Sequence, residues 1–431
     1  MANLWPILDD IDTYSDWIYL YQTMDSRNTM IIDEIRSLIR EKGRTTFVEF
    51  MDSALYHPQY GYYTSERARI GKGGDYYTST DVHRAFGTCI MRQIEEMWGI
   101  LCRDVKCYVS TPLNLVEIGA GKGLLCADIL VSAREKAPSL FQGLRYFIVE
   151  KSPDFIERQK RHVKELGLID KVSWVPDIRE ALSPPLSLRE RVKGEGGVGI
   201  VLSNELIDAF PVHKVRYSNG RWNEIYVTFE NGRFIEAEDT LSDQRLSDFL
   251  TKLEGPYENG YTTEVNLKAI DWVKEVGDKL KKGFVITIDY GYPRRGFYSP
   301  ERNRGTLICY YKHQATEDPY VNIGEQDITS HVDFTSLADA GKTAGLEVTG
   351  FTDQSYFLMG CGIEEEFQPL SAPLLDKGGL GGGDAFKNNI TLKKLLMPGG
   401  MGSIFKVLIQ HKGMERPMLR GFSFKDMAKY L

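Results

Sequence analysis

The pattern of hydrophobic and polar positions changes near residue 110, from one typical of helices to one typical of strands that alternate with helices. Before residue 110, apolar positions recur every three or four residues, which is typical of helices that bury one face. The segments with this pattern are 30–43, 46–56 and 83–100. Beyond residue 110, apolar runs predict strands at 113–118, 146–150, 172–175, 198–205 and 284–291, with helices near 124–136 and 152–166. Strands that alternate with helices predict a parallel sheet covered on both faces.

A different pattern interrupts this alternation at 212–236, where two Asn-Gly pairs separate alternating runs, Asn219-Gly220 and Asn231-Gly232. Asn-Gly is a strong hairpin signal, so the segment predicts a β-meander. The remaining predicted elements are a helix near 263–281, a polar loop at 292–333, a helix at 337–346, and paired strands at 346–353 and 403–412. The glycine-rich stretch 377–386 lacks the Lys-Ser/Thr of a phosphate loop and follows no strand, so we expect a flexible connector.

Together the elements predict an α/β fold with a helical N-terminal extension and a β-rich insertion. The predicted parts are a helical N-terminal region with a cofactor-covering loop (1–110), the first part of the core (111–211), the β-meander insertion (212–262), the second part of the core with a substrate loop at 292–333 (263–412), and a C-terminal tail (413–431).

Composition narrows the possible partners. A net charge of −7 argues against a general nucleic-acid binder, and no apolar run reaches the roughly 18–20 residues of a membrane span. The first basic residue is Arg27, which is unlike a signal or transit peptide, so we expect a cytoplasmic protein. The six cysteines form no Cys-x-x-Cys pair, which favours reduced thiols, and the seven histidines show no metal-binding spacing, so no metal site is predicted.

A glycine turn follows the strand at 113–118. Gly119, Gly121 and Gly123 alternate with other residues and lead into a helix, where free N–H groups favour a polar ligand. The third glycine comes one residue too early for the dinucleotide fingerprint. Glu117, two positions before the first glycine, suits a cofactor with an ammonium group, such as S-adenosylmethionine. A purely structural strand-to-helix turn is the alternative.

The ends of the next strands support this cofactor. Glu150 can accept hydrogen bonds from both ribose hydroxyls, and Asp177 with Ile178 suits the amine and ring of an adenine. The fourth strand ends in Ser203-Asn204-Glu205, which would face the departing methyl group. All these positions lie at the carboxyl ends of parallel strands, where open α/β sheets bind ligands.

Several longer motifs resemble the MidA-type methyltransferases, which include a mitochondrial complex I assembly factor that methylates an arginine of a core subunit. They are TFVEFMDSALYHPQYGYYTS (46–65), GGDYYTS (73–79), VEIGAGKG (116–123), SNELIDAFPV (203–212), IDYGYP (288–293), RGTLICYYKH (304–313) and GEQDITSHVDF (324–334). The resemblance covers about 30 to 410. It implies a seven-stranded, Rossmann-like class I methyltransferase fold, S-adenosylmethionine as methyl donor and a protein arginine as acceptor.

The chain departs from the family at a few positions. The family's turn usually reads Gly-Pro-Gly-Arg-Gly, whereas Ala120 and Lys122 stand here; the glycines are kept, so we expect cofactor binding to be kept. Ile207 stands where the family often has a second aromatic residue.

The segment 73–79 is expected to close over the cofactor through Asp75 and Tyr77, with Tyr76 or Tyr77 facing the sulfonium. An aromatic loop packed on the sheet is the alternative.

Carboxyl groups carry the predicted chemistry. A guanidinium stays protonated and is a poor nucleophile, and carboxylates can hold it and receive its proton. Glu205 and Asp208 lie three residues apart after the fourth strand and can point into one cleft, although Asn204 or Asp208 could instead cap a helix. His331 is a third catalytic candidate.

For two further acids, the sequence leaves a purely structural role open. Asp333 follows His331 in the SHVDF motif and could simply cap the next helix. Asp289 ends a central strand and could line the cofactor pocket or hold a turn.

The leading hypothesis is an S-adenosylmethionine-dependent protein methyltransferase that acts on arginine, with a protein partner such as a subunit of respiratory complex I type. A non-catalytic assembly chaperone that retains the fold is the main alternative. A nicotinamide-dependent oxidoreductase is disfavoured by the glycine spacing.

Overall fold

The computed structural model describes residues 26–64, 79–103, 113–182, 197–368 and 381–431. Its strands are β1 (Thr45–Thr46), β2 (Leu113–Ile118), β3 (Leu144–Val149), β4 (Val172–Val175), β5 (Gly197–Asn204), β6 (His213–Ser218), β7 (Arg221–Glu230), β8 (Arg233–Asp239), β9 (Thr262–Val265), β10 (Leu280–Tyr292), β11 (Ile308–Tyr311), β12 (Gln314–Thr316), β13 (Asp327–Thr329), β14 (Val332–Asp333), β15 (Glu347–Asp353) and β16 (Phe405–Lys412).

The helices of the same residues are α1 (Ser26–Lys42), α2 (Phe47–Tyr56), α3 (Ser79–Val82), α4 (Ala85–Arg103), α5 (Leu124–Lys136), α6 (Pro138–Gly143), α7 (Pro153–Glu165), α8 (Ile178–Leu182), α9 (Gln244–Leu250), α10 (Leu267–Lys279), α11 (Arg294–Phe297), α12 (Phe334–Thr343), α13 (Gln354–Gly360), α14 (Gly381–Leu396) and α15 (Met401–Ile404). Among the described residues, no helix combines the length and the apolar character that crossing a bilayer requires.

The described chain divides into two compact units. The larger unit contains a sheet of order β15-β16-β10-β5-β2-β3-β4, with β14 added beside the end of β10. The strands from β10 to β4 pair in parallel, whereas β16 runs antiparallel to both of its neighbours. The predicted seven-stranded, mostly parallel sheet is therefore confirmed, with the two-residue β14 as an addition.

Helices cover both faces of this sheet because successive strand residues point to opposite sides. In β5, Ile200 and Leu202 pack in one apolar cluster with residues of α4 and α5. Val201 packs in the other cluster with residues of α10 and α12. An apolar cluster thus covers each face of the sheet, and polar groups are found at the ends of its strands.

The smaller unit draws on 26–64, 211–267 and 300–330. It contains the meander β6–β8 with β1 and β9, and a second sheet of order β12-β11-β13. Both predicted Asn-Gly turns are present, because Asn219 and Asn231 have positive φ angles of 53° and 49° followed by glycines of positive φ. Apolar residues from all three segments share one core, among them Phe50, Val227 and Ile328.

Three element predictions need correction. The loop predicted at 292–333 contains α11 and the strands β11 to β14, which are too short for their alternation to stand out. The helix predicted near 263–281 is preceded by β9, Thr262–Val265, in which three of the four residues are β-branched. The glycine-rich stretch 377–386 was expected to be a flexible connector, but a helix begins within it at Gly381. Leu392 and Leu395 of that helix are buried in the core. Residues 377–380 of the stretch lie outside the described residues.

The C-terminal tail lies along β15, the outer strand of the large sheet. The N–H of Met427 donates to the carbonyl of Phe351 at 2.6 Å, and the N–H of Phe351 donates to Asp426 at 3.2 Å. A Cβ on Gly350 would lie only 2.3 Å from Cδ2 of Phe422, so the ring of Phe422 packs directly against this glycine. The tail therefore follows the strand closely and satisfies part of its backbone.

Candidate active site

The glycine turn joins β2 to α5 with an unusual backbone. Gly119, Gly121 and Gly123 have φ angles of 72°, 51° and 77°, a region that residues with a side chain rarely adopt. Gly123 is the N-cap of α5 and offers no capping side chain. The first N–H groups of α5 therefore lack a side-chain cap from this position, an arrangement suited to a polar ligand.

Two of these glycines also allow close packing around the turn. A Cβ on Gly119 would lie 2.7 Å from Cδ1 of Leu206, and one on Gly123 would lie 3.2 Å from Cγ of Gln159. The first contact brings the turn against the segment after β5, and the second brings α7 against the turn. The glycines therefore serve the packing of the site as well as its backbone conformation.

Glu150 lies at the carboxyl end of β3, half-buried, as predicted. Its Oε1 accepts the N–H groups of Lys151 and Ser152 at 2.8 and 2.9 Å. Its Oε2 lies 3.4 Å from Nε2 of Gln159. Burial raises the pKa of this carboxyl, while the three donors oppose the rise. One carboxylate oxygen is thus fixed by the backbone.

The acids at the ends of β2 and β4 have partners of their own. Glu117 is buried and accepts the hydroxyl of Tyr146 at 2.8 Å, and burial raises its pKa to about 7. Asp177 accepts the N–H of Arg179 at 2.7 Å at the start of α8. Ile178 is 5% exposed and packs in the apolar core. The roles predicted for these three residues toward a cofactor stay predictions.

Glu205 occupies a left-handed backbone conformation directly after β5, with a φ of 51°. A non-glycine residue rarely takes this conformation without a local reason. Its N–H donates to the carbonyl of Ile288 at 2.9 Å, and its Oε1 accepts the N–H of Ser79 at 2.9 Å and Nδ2 of Asn204 at 3.2 Å. Burial raises the pKa of Glu205 to about 8, against the Ser79 bond and with help from the nearby Asp208.

Asp208 and Asp289 form a buried acid pair beside Glu205. Burial and the mutual proximity of the acids hold the pKa of Asp289 well above its usual range, and burial also raises that of Asp208. Oδ2 of Asp289 accepts the N–H groups of Ile207 and Asp208 at 3.0 and 3.3 Å. Asp289 therefore holds the turn that presents Glu205 and Asp208, which is one of the two roles that the sequence left open; its role as a wall of the cofactor pocket stays a prediction.

His331 lies beside two tyrosines at the end of β10, Tyr290 and Tyr292. Its ring centroid is 5.1 Å from that of Tyr290 and 5.3 Å from that of Tyr292. Tyr290 opposes the rise that burial causes in the pKa of the Asp208 carboxyl. Asp333 caps α12, accepting the N–H groups of Thr335 and Ser336. The capping alternative for Asp333 is thus confirmed, whereas a catalytic role for His331 stays a prediction.

Helix α3 connects the glycine turn to the acids. Asp81 accepts Nζ of Lys122, in the turn, at 2.7 Å, while Ser79 of the same helix bonds Glu205. Neither Gln159 nor these α3 contacts could be inferred from the sequence, because Gln159 reaches Gly121, 38 residues away, and the α3 bonds span 41 and 126 residues. Asp75, Tyr76 and Tyr77 lie outside the described residues, so their predicted contacts have no structural account.

The arrangement fits a ligand with a cationic amino-acid end and a vicinal diol. The positive-φ glycines leave the turn without side chains, the buried carboxyl group of Glu117 lies two residues before the first of them, and Glu150 offers a carboxylate at the neighbouring strand end. Those are the features of S-adenosylmethionine, which carries a sulfonium, an ammonium group and a ribose.

Comparison with known proteins agrees with this fit. The sequence profile of the family described as "Putative S-adenosyl-L-methionine-dependent methyltransferase" matches residues 89–352, more than half of the 431-residue chain. The Drosophila melanogaster protein named protein arginine methyltransferase NDUFAF7 homolog, mitochondrial, is 24% identical over 90% of this chain and 86% of its own. The Homo sapiens protein arginine methyltransferase NDUFAF7, mitochondrial, is 26% identical over 79% of this chain and 75% of its own.

A solved structure extends the comparison to the cofactor. The crystal structure of a COG1565 superfamily member from Burkholderia thailandensis, bound to S-adenosyl-homocysteine, is 27% identical, with a TM-score of 0.79 over 94% of this chain and 97% of its own. A native crystal structure of a COG1565 superfamily protein from the same organism gives a TM-score of 0.77. The chain therefore belongs to this family and is an S-adenosyl-L-methionine-dependent methyltransferase.

Proposed function

We propose that the enzyme transfers the methyl group to an arginine side chain of a partner protein. The observation that carries the proposal is the buried acid group Glu205, Asp208 and Asp289 beside the glycine turn. Several carboxyl groups in a poorly solvated place favour a cation as the second substrate. The names of the relatives from Drosophila and human support the same acceptor.

Binding and orientation come from the chain's own residues. When bound, S-adenosylmethionine supplies a methyl group activated by a sulfonium. The glycine turn and Glu150 would hold the two ends of this cofactor. Glu205 and Asp208 would hold the guanidinium in the plane that bidentate contacts impose, which localises its charge. Alignment of two bound reactants can supply about 7–11 kcal/mol of the barrier.

Glu205 would also receive the proton that the guanidinium nitrogen loses on methylation. With a pKa of about 8 it is protonated for much of its population at neutral pH in the free enzyme. A guanidinium beside it would favour the ionised form, because opposite charges lower the pKa of an acid. The carboxyl is thus able both to pair with the cation and to accept a proton within one cycle.

The acceptor is tested with methyl-labelled S-adenosylmethionine and an extract of cells that lack this protein. The labelled band is digested, and its methylated amino acids are separated. Label in ω-N-methylarginine of a protein supports the proposal, and label confined to lysine, to carboxyl groups or to small molecules overturns it. A core subunit of respiratory complex I type, which the sequence resemblance implies, is the first purified partner to test.

Replacing Glu150 by alanine is expected to weaken binding of S-adenosyl-homocysteine about 10- to 100-fold, because a hydrogen bond to a charged group contributes about 1.5–3 kcal/mol. Isothermal titration calorimetry measures the change. Glu157→Ala, on the exposed face of α7, is the matched control and should bind normally. Normal binding by Glu150→Ala would remove this residue from the cofactor site.

The pH dependence should follow Glu205. Its raised pKa means that the proton is retained up to about pH 8 in the free enzyme, so kcat/KM for the acceptor should rise with pH and level off near that value. Asp208 contributes to the high pKa, so Asp208→Asn should move the rise to lower pH. A profile that is flat or falling between pH 6 and 9 would contradict the assignment.

A further inference from the structure

One buried amide connects the two halves of the cofactor site. Gln159, in α7, is fully buried. Its Nε2 donates to the carbonyl of Gly121 at 2.8 Å and lies 3.4 Å from Oε2 of Glu150. A buried amide nitrogen has two hydrogens to satisfy, and these two acceptors match them. The side chain thus spans from the glycine turn to the carboxylate at the end of β3.

The orientation of this amide is fixed by Trp174 of β4. The indole N–H of Trp174 donates to Oε1 of Gln159 at 2.9 Å. An indole can only donate, so the oxygen of the amide must face it and the NH₂ group must face Gly121 and Glu150. The absence of a side chain at Gly123 completes the arrangement, since a Cβ there would lie 3.2 Å from Cγ and 3.5 Å from Cα of Gln159.

The consequence concerns Glu150. Its Oε1 is held by two backbone N–H groups, and Gln159 lies on the side of Oε2, the oxygen left toward the ligand. We propose that Gln159 is a positioning residue for the cofactor: it holds the Glu150 carboxylate in the rotamer that meets the ribose hydroxyls and keeps it at a set distance from the glycine turn. The inference rests on cofactor binding and on the ribose contact of Glu150, and it is independent of the acceptor.

The test compares two ligands on the full-length protein by calorimetry. One is S-adenosyl-homocysteine, and the other is its 2′,3′-dideoxy analogue, which lacks the ribose diol. Gln159→Met keeps the size and removes the polar atoms. It should weaken S-adenosyl-homocysteine binding about tenfold, the effect of one well-placed hydrogen bond to a charged group, and the dideoxy ligand by much less. In the double variant with Glu150→Ala, the second substitution should add little further loss.

A merely structural role gives a different result. Equal losses for both ligands, or losses that add in the double variant, would overturn the proposal. Trp174→Phe provides a second route if Gln159→Met does not fold, because it removes the N–H that orients the amide and leaves the polar atoms of Gln159 in place. It should produce a smaller loss with the same preference for the diol ligand, and no loss would count against the proposal. Because binding is measured, failure of the arginine assignment leaves this result unaffected.

Discussion

Glu205→Gln should lower kcat for methyl transfer by about 10²- to 10⁴-fold, the range that a positioned acid or base contributes. Glutamine keeps the size and can still accept the N–H of Ser79, so the turn after β5 should keep its shape. It cannot carry the negative charge that pairs with a guanidinium or take up its proton. Binding of S-adenosyl-homocysteine should change little, because Glu150 and the glycine turn are untouched.

Single-turnover rates and calorimetry on the same preparation separate these effects. Glu157→Gln, at a surface position, is the control for handling and stability. A variant that transfers methyl groups at the normal rate would remove Glu205 from the chemistry, and one that loses cofactor binding would place it at the cofactor. If the inactive variant still supports its partner in cells, the assembly role considered from the sequence gains support.

Gly119→Val is expected to reduce affinity for S-adenosyl-homocysteine by more than about 100-fold. Valine is a β-branched residue at a φ of 72°, which costs roughly 1–3 kcal/mol of strain, and its Cβ would lie 2.7 Å from Leu206. The backbone must therefore move, and both the turn and the segment that carries Glu205 move with it. A 100-fold loss corresponds to about 2.7 kcal/mol, which this displacement of cofactor contacts can supply.

A second glycine isolates the strain from the site. Gly167 follows α7 with a φ of 67°, and a Cβ there would meet nothing within 4 Å. Gly167→Val should therefore lower the melting temperature without a comparable loss of affinity. Equal affinity losses in the two variants would mean that the glycines of the turn matter only for general stability.

The sequence predicted the elements whose ends are marked by nearby residues. The positions of β2 and β4 agree with the prediction because their apolar runs end at Gly119 and Pro176, and the hairpins are marked by Asn219-Gly220 and Asn231-Gly232. Short strands such as β12, of three residues, escaped because alternation needs more length to be visible. Neighbouring elements and their turns were therefore accessible, whereas the smaller unit, assembled from three distant segments, was not.

The candidate site was accessible to the same degree. Glu150 and Glu205 could be named because each ends a predicted strand, at the edge where such sheets bind ligands. Gln159 lies in a helix of mostly polar residues, where one buried amide looks like any solvated side chain. The structural role of Asp289 became clear only from its bonds to Ile207 and Asp208, which lie more than 80 residues earlier in the chain. Contacts between distant elements decide such roles.

The tail along β15 has a consequence for the behaviour of the enzyme in concentrated solution. An uncovered outer strand is a template onto which a strand of another molecule can add. By occupying the carbonyl and the N–H of Phe351 with its own backbone and Asp426, the tail acts as an internal competitor for that edge. A chain shortened to residue 412 would expose this edge, so we expect residues 413–431 to reduce association between molecules as well as to pack against the core.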